Sequence, residues 1–302
     1  MFSPKSIIFA SNLFVAVGGF VTSGGQIGWS NDGKTWKLVE NTTFGNSIIN
    51  GIAYGNNRFI AVGEDGKAAS STDGKTWTSV DASSVFGTSN INDIAYGNSR
   101  FFAVGADAKT AYLADSGSTW TSVSAMLPMN GGSMFNGGQP ASETNILRIV
   151  YDVNRFMAYA FSADAQCPMY RNNIETNIWQ GNPISFFGWT GTANIGDLIS
   201  ANNYIVAVGT GGYVWKLDGT GSQGVEWFNI SPSSVLGTDH ITKAAYGSNR
   251  LLVFSSNKGA WSDDAGATWT EVPHVNMSRM AYGAGRFVAV GGGSGIYYAN
   301  YQ

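Results

Sequence analysis

The sequence is short of charge, of cysteine and histidine, of proline and of long apolar runs, and each shortage removes a class of protein. Charged residues make up 12% of the 302, against roughly 25% in an average soluble domain. With 43% hydrophobic and 13% aromatic residues, the chain is nonetheless too apolar to be disordered. One cysteine, Cys167, and two histidines, His240 and His274, rule out a disulfide framework, a Cys/His zinc site and a CxxC redox pair. No metal and no cofactor is therefore expected. No run of about 18 apolar residues is present, so no membrane-spanning helix is expected. Seventeen basic against 20 acidic residues, a net charge of −3, give no long-range pull toward nucleic acid or an anionic membrane. Proline is scarce, at seven, but glycine is plentiful, at 40, and falls at turn positions rather than in the strict period of collagen. What is left is a turn-rich globular chain, long enough to bury a sizeable core.

What is present is a repeat. IAYGNNRFIAVG at 52–63 returns as IAYGNSRFFAVG at 94–105 and as MAYGAGRFVAVG at 280–291. Looser copies are IIFASNLFVAVG at 7–18, IVYDVNRFMAYA at 149–160, LISANNYIVAVG at 198–209 and AAYGSNRLLVFS at 244–255. The starts at 7, 52, 94, 149, 198, 244 and 280 are separated by 45, 42, 55, 49, 46 and 36 residues, the period of four-stranded propeller blades rather than of two-helix repeats. Each copy holds a turn between two runs rich in Val, Ile, Phe and Tyr, which is a hairpin signature. The first copy follows Lys5 and has the look of a secretory signal, but as one unit of a repeat it belongs to the core, and no cleavable signal is expected. The expected fold is all-β: a seven-bladed β-propeller of mostly four-stranded antiparallel blades, one domain over 1–302, with the last blade short of its outer strand. The first strand of each repeat would line an axial channel.

A second signal follows the anchor: SNDGKTW at 30–36, STDGKTW at 71–77, SDDAGATW at 262–269 and a weakened LADSGSTW at 113–120. These segments resemble the Asp-box (BNR) motif, which in that family forms the turn between the third and fourth strands of a propeller blade. The resemblance implies structural roles for Asp32 and Trp36, Asp73 and Trp77, Asp115 and Trp120, and Asp264 and Trp269. The local chemistry agrees, since Asp accepts hydrogen bonds from turn amides, Gly permits positive φ and Trp packs on its own blade. The motif occurs in sialidases, other glycosidases, sorting receptors, assembly factors and phage virion proteins alike, so it specifies architecture and says little about function.

Arg58, Arg100, Arg155, Arg250 and Arg286 all stand at the same repeat position. They serve either as blade packing or as a ring of positive charge for an acidic sugar or a carboxylate-bearing partner. Glycoside hydrolysis needs two carboxylates converging at about 5–10 Å. The Glu residues show no pairing pattern and four Asp belong to the turns, so no catalytic residue and no enzyme activity is expected. Arg148-Ile149-Val150 has only a faint likeness to the Arg-Ile-Pro element of sialidases. Where the repeat is broken, Met129, Met134 and Phe135 in the linker 126–145 either fold back on the propeller, cap the channel or meet a partner, and Trp189 in the linker 182–194 is either an inter-blade plug or a stacking platform for a sugar. The strand around 295–299 leaves an edge at Ile296, Tyr297 and Tyr298 that either residues 1–5 pair with briefly or, as expected here, a partner covers by adding a strand.

The whole chain, through its AYGxxRFxAVG anchor, resembles propeller proteins of bacteriophage tails and virions. That resemblance implies a non-enzymatic structural or host-attachment module located in the virion. Its partners would be other virion proteins or a host surface glycan or protein, within an oligomeric assembly. The alternatives are a lectin-like glycan-binding propeller of bacterial origin, cytoplasmic or at the cell surface, and a propeller assembly factor for a protein complex.

Overall fold

The computed structural model describes residues 2–115, 117–123, 145–152, 155–161, 166–171, 180–181, 195–218, 226–291 and 295–299. The chain runs as successive antiparallel sheets whose strands follow sequence order from the inside outward. The inner strands are Pro4–Ala10, Ile49–Gly55, Ile91–Gly97, Asn145–Asp152, Ile195–Ser200, Ile241–Gly247 and Arg279–Gly283. Each inner strand touches the next around the axis, and Arg279–Gly283 touches Pro4–Ala10, so the ring is closed. The second strands, such as Arg58–Gly63, Arg100–Gly105 and Arg286–Gly291, are buried on both faces after their first residue. A strand sandwiched between two neighbouring sheets needs apolar side chains at successive positions, which is why these runs do not alternate.

The expected count of seven blades is corrected to six. Six sheets carry the full four strands, and the last repeat forms instead a three-stranded sheet of Arg279–Gly283, Arg286–Gly291 and Gly295–Ala299. The N-terminal segment does not complete it, because that segment is already held inside blade 1. Pro4 pairs with Gly18, the Gly19 amide donates to the Ser3 carbonyl, and Phe2 packs in the cluster with Phe14 and Trp36. No helix is long and apolar enough to cross a membrane among the described residues.

The AYG triplets show why the ring packs. A Cβ placed on Gly55 would overlap the Tyr96 ring of the next blade, one on Gly97 the Tyr151 ring, one on Gly247 the Tyr282 side chain and one on Gly283 the Phe9 ring. Each aromatic thus lies flat on the bare backbone of the preceding unit, and the last of these contacts joins the three-stranded sheet to blade 1. The same rings pack against the second strand of their own unit: Tyr54 on Phe59, Tyr96 on Phe101, Tyr151 on Phe156, Tyr282 on Phe287 and Phe9 on Phe14, at 4.5–4.9 Å between centroids. Between blades 4 and 5 the sequence has Asp152 and Ser200 instead, and there the Ser200 hydroxyl donates to Asp152 Oδ2 at 2.7 Å.

Two faces follow from the register. On the hairpin face lie the turns between first and second strands and the Asp turns. On the linker face lie the turns between second and third strands and the linkers between blades, including the short helices α1 (Ser83–Phe86) and α2 (Ser233–Leu236). In all six blades a bulge interrupts the inner strand where it enters from the linker face, a device that re-aims the next side chain.

Gly97→Ala is expected to lose about 1–3 kcal/mol of stability, because the added methyl must displace the Tyr151 ring in a packed interface. Gly117→Ala serves as the control, since its Cβ meets nothing closer than 3.4 Å. Urea denaturation decides: equal midpoints for Gly97→Ala and the wild type would contradict the packing assignment.

Candidate functional site

The side chains that follow the inner-strand bulges come together at one level of the axis. They are Ser6, Gly51, Asp93, Arg148, Asp197 and Lys243, and Arg279 occupies the equivalent register in the three-stranded sheet. Each pairs with the matching residue of its second strand: Val17, Val62, Val104, Tyr159, Val208, Phe254 and Val290. Where the inner strands crowd most, small residues and charges that satisfy one another fill the level.

Arg148 stands at the centre. Its Nη2 donates to Asp197 Oδ1, and its Nη1 lies 3.6 Å from Asp93 Oδ2. Arg279 approaches the same Asp93 oxygen at 3.7 Å, reaching past blades 1 and 2, which place only Ser6 and Gly51 at this level. A Cβ on Gly51 would already lie 3.0 Å from Asp93 Oδ1. The carboxylates also accept backbone amides: Asp93 from Ile149 at 3.2 Å, Asp197 from Leu198 at 2.9 Å and from Ala244 at 3.3 Å. Asp93 and Asp197 are 2% exposed and Arg148 8%, so the network sits in a low dielectric where unpaired charge is costly. Burial pushes the Asp93 carboxyl up to about 6, with Arg148 pulling against it. Burial works against the Arg148 charge, but Asp197 and Asp93 outweigh it and raise the guanidinium above its ordinary value.

Lys243 completes the ring. It is half-buried, and it has no hydrogen bond or ion pair among the described residues. Its charge lowers the pKa of the neighbouring His240, alongside the larger effect of burial. By register, three cations, Arg148, Lys243 and Arg279, and two carboxylates, Asp93 and Asp197, stand at this level.

The arginines singled out from the repeat lie elsewhere, on the hairpin face, and are held by their surroundings. Arg58 donates to the carbonyls of Gly117 and Ala114 in the next blade's turn, at 3.2 and 3.4 Å, and its guanidinium lies 5.4 Å from the Phe101 ring. Arg100 stacks 4.5 Å over Tyr112. Arg250 makes a bidentate pair with Asp263 at 2.7 and 2.8 Å and covers Trp261 at 4.0 Å. Arg286 leans on the Gly33 turn of blade 1. The buried Nε atoms of Arg58, Arg155 and Arg286 lack partners alike, which marks a property of the repeat position.

The Asp turns are built alike where the sequence is complete. Asp32 Oδ1 accepts the Lys34 and Thr35 amides at 2.8 Å and the Ser30 hydroxyl at 2.9 Å. Asp73 repeats this with Lys75, Thr76 and Ser71, and Asp264 accepts the Thr268 amide and hydroxyl. Trp36, Trp77 and Trp269 donate from Nε1 to the carbonyls of Gly33, Gly74 and Gly266. Hydrogen bonds from the Thr35 and Lys34 amides hold Asp32 well below the usual carboxylate range. Desolvation opposes the same effect at Asp73, yet the Thr76 and Lys75 amides keep it at about 2. In blade 3, Leu113 stands where the serine belongs. There, among the described residues, Asp115 accepts from Tyr96 alone, at 3.1 Å, and Trp120 Nε1 has no partner.

Of the other expected contacts, Met129, Met134, Phe135 and Trp189 lie outside the described residues. Ile296 packs inward against the cluster of Phe14 and Val290, while Tyr297 is 47% exposed. For Tyr298 the structure gives its backbone pairing with Val288. No further strand pairs with this edge among the described residues.

Residues 3–150, just under half of the chain, match the DUF6242 β-propeller domain family. The chain is a β-propeller. No curated protein matches its sequence. Among solved structures it is similar to YCF48 bound to D1 peptide, with 16% identity over 98% of this chain and 92% of that one and a TM-score of 0.68. YCF48 from Cyanidioschyzon merolae is similar with 14% identity over 99% and 96%, TM-score 0.68. The β-propeller domain of Myceliophteria thermophila Cps50 (Swd1) has 8% identity over 100% and 98%, TM-score 0.70. At these identities the likeness is one of fold. Neither an Asp-box family nor a bacteriophage protein is among these matches.

The axial charges missed by the anchor analysis were within its reach. They stand one residue before each anchor, where Ser, Gly, Asp, Arg, Asp, Lys and Arg replace the apolar residues that surround them. Arg148→Met should lower stability by about 3–5 kcal/mol by leaving two buried carboxylates unpaired. Adding Asp93→Asn and Asp197→Asn should recover most of that loss. A single variant as stable as the wild type in urea would contradict the network.

Proposed function

We propose that this propeller is a non-enzymatic docking module that binds a segment of another protein, in the manner of an assembly factor for a protein complex. The observation that carries the reading is the charged ring at the axis, which has more cation than carboxylate and leaves the Arg279 side chain 21% exposed. The described carboxylates support a role without chemistry. Asp32, Asp73 and Asp264 hold turns, Asp263 holds Arg250, and Asp65 and Asp107 accept from Ser47 and Ser89 at 2.6 Å. Asp93 and Asp197 come nearest to an acid and base pair, and the Arg148 guanidinium fills the space between them. A neighbouring propeller, YCF48, is bound to D1 peptide, which makes peptide recognition a use to which this architecture is put. The resemblance of the anchor to virion propellers makes a particle or host-surface protein the partner to seek, and a place in the virion goes with it.

Affinity capture from the source organism with an amine-reactive cross-linker tests the reading. One protein should be joined through lysines of the linker face, Lys5, Lys67, Lys109, Lys243 and Lys258. Capture of no protein, cross-links confined to Lys34 and Lys75 of the hairpin face, or turnover of a fluorogenic glycoside panel abolished by Asp93→Asn would each overturn it.

A further inference from the structure

We infer that the linker-face end of the axial channel, at Arg279 and Lys243, is a binding site for a single carboxylate of a peptide. The inference rests on the protein-binding reading and names the chemistry recognised. Arg148 is saturated by Asp93 and Asp197, but the other two cations are not. Arg279 has five N–H donors, and among the described residues its sole ion-pair contact is the long approach to Asp93 at 3.7 Å. Its side chain is 21% exposed, so the guanidinium is desolvated on one side and open on the other. Lys243 stands beside it, half-buried and without an ion pair. A cation in this setting gains more from an anion than one on the open surface, because screening is weak and part of the desolvation cost has already been met by folding.

The charge balance limits the ligand. Three cations against two carboxylates leave one positive charge in excess, which matches one carboxylate and is poorly matched to a dianionic phosphate or a polyanion. The net charge of −3 keeps the rest of the molecule from drawing nucleic acid. Serine and glycine at positions 6 and 51 keep the two units that follow Arg279 around the ring small, so a carboxylate at the axis meets Arg279 and Lys243 without a bulky side chain from blades 1 and 2. Both an acidic side chain and a C-terminal carboxylate supply this chemistry.

Three probes separate the sources: an acetyl-tetrapeptide amide of three alanines and one glutamate, acetyl-tetraalanine with a free C-terminus, and acetyl-tetraalanine amide, each titrated calorimetrically at low salt. Binding of the first or second, and not the third, is expected, and which one binds identifies the source. Lys243→Gln, which breaks no hydrogen bond or ion pair among the described residues, and Arg279→Gln should each weaken it about tenfold, the loss of one charge-assisted hydrogen bond. Asp93→Asn should tighten it by removing an opposing charge. Absence of binding by both carboxylate probes, or unchanged affinity in both cation variants, would overturn the site. If the captured protein partner still binds the Lys243→Gln, Arg279→Gln double variant as it binds the wild type, the carboxylate site falls while the docking reading stands. If no partner is captured at all, the docking reading itself falls.

Discussion

An aromatic side chain of one unit lying on the bare backbone of the unit before it sets the spacing of the ring at four of its junctions. With glycine at 55, 97, 247 and 283, the neighbouring side chains of Tyr96, Tyr151, Tyr282 and Phe9 approach to a distance that any Cβ would forbid. Inner strands drawn this close at the hairpin face stay close along their length, and at the linker face their side chains have little room. Small residues or mutually satisfied charges are the two solutions, and the ring uses both. Ser6 and Gly51 give way, while Asp93, Arg148 and Asp197 neutralise one another. Arg279 and Lys243 stand at the same level without that neutralisation, Arg279 keeping only the 3.7 Å approach to Asp93 as an ion pair among the described residues.

Few charges are free elsewhere, and this gives the low charge content a physical meaning. Lys67 and Lys109 donate to the carbonyls of Phe44 and Phe86 at 2.8 and 2.9 Å, tying the turn of each blade to the linker that leads into it. Arg58 ties blade 2 to the turn of blade 3, and the Asp turns use their carboxylates to gather backbone amides. Such charge-assisted bonds are roughly twice as strong as neutral ones, and they join elements that hydrophobic packing alone would leave free to slide. Repetition is therefore a sign of framework. The outer arginines repeat at one position in five units, and those at 58, 100 and 250 are each held by carbonyls, a ring or a carboxylate of the framework, whereas the axial residues differ from unit to unit because they share a single space.

That contrast explains what was legible in the sequence. The anchors declared the hairpins and the ring, because their apolar runs and turns recur almost unchanged. The Asp turns were equally plain at Asp32, Asp73 and Asp264, and the loss of serine at Leu113 marked the weakened one. The number of complete blades was less so, since the three strands of the last repeat needed a fourth that Pro4–Ala10, bound inside blade 1, does not provide. The axial charges were obscured because each is a lone residue in front of a strong apolar motif. Arg148 in particular drew attention only for its likeness to a sialidase element. Ion pairs between Asp93, Arg148 and Asp197 join residues about 50 positions apart, and no local pattern signals them. Lining up the repeats one residue further upstream exposes the alternation of charge, which is a property of the ring and not of any one blade.

The claim that recognition occurs at the axis and not at the outer arginines can be read directly from arginine side-chain NMR. In a sample labelled with nitrogen-15 at arginine, the Nε–H signal of Arg279 should shift and exchange more slowly with water as the single-glutamate tetrapeptide amide or acetyl-tetraalanine is added, with the signals of Arg58, Arg100 and Arg250 unmoved. Shifts at Arg58 or Arg100 with Arg279 unchanged would contradict the account and return the site to the hairpin face.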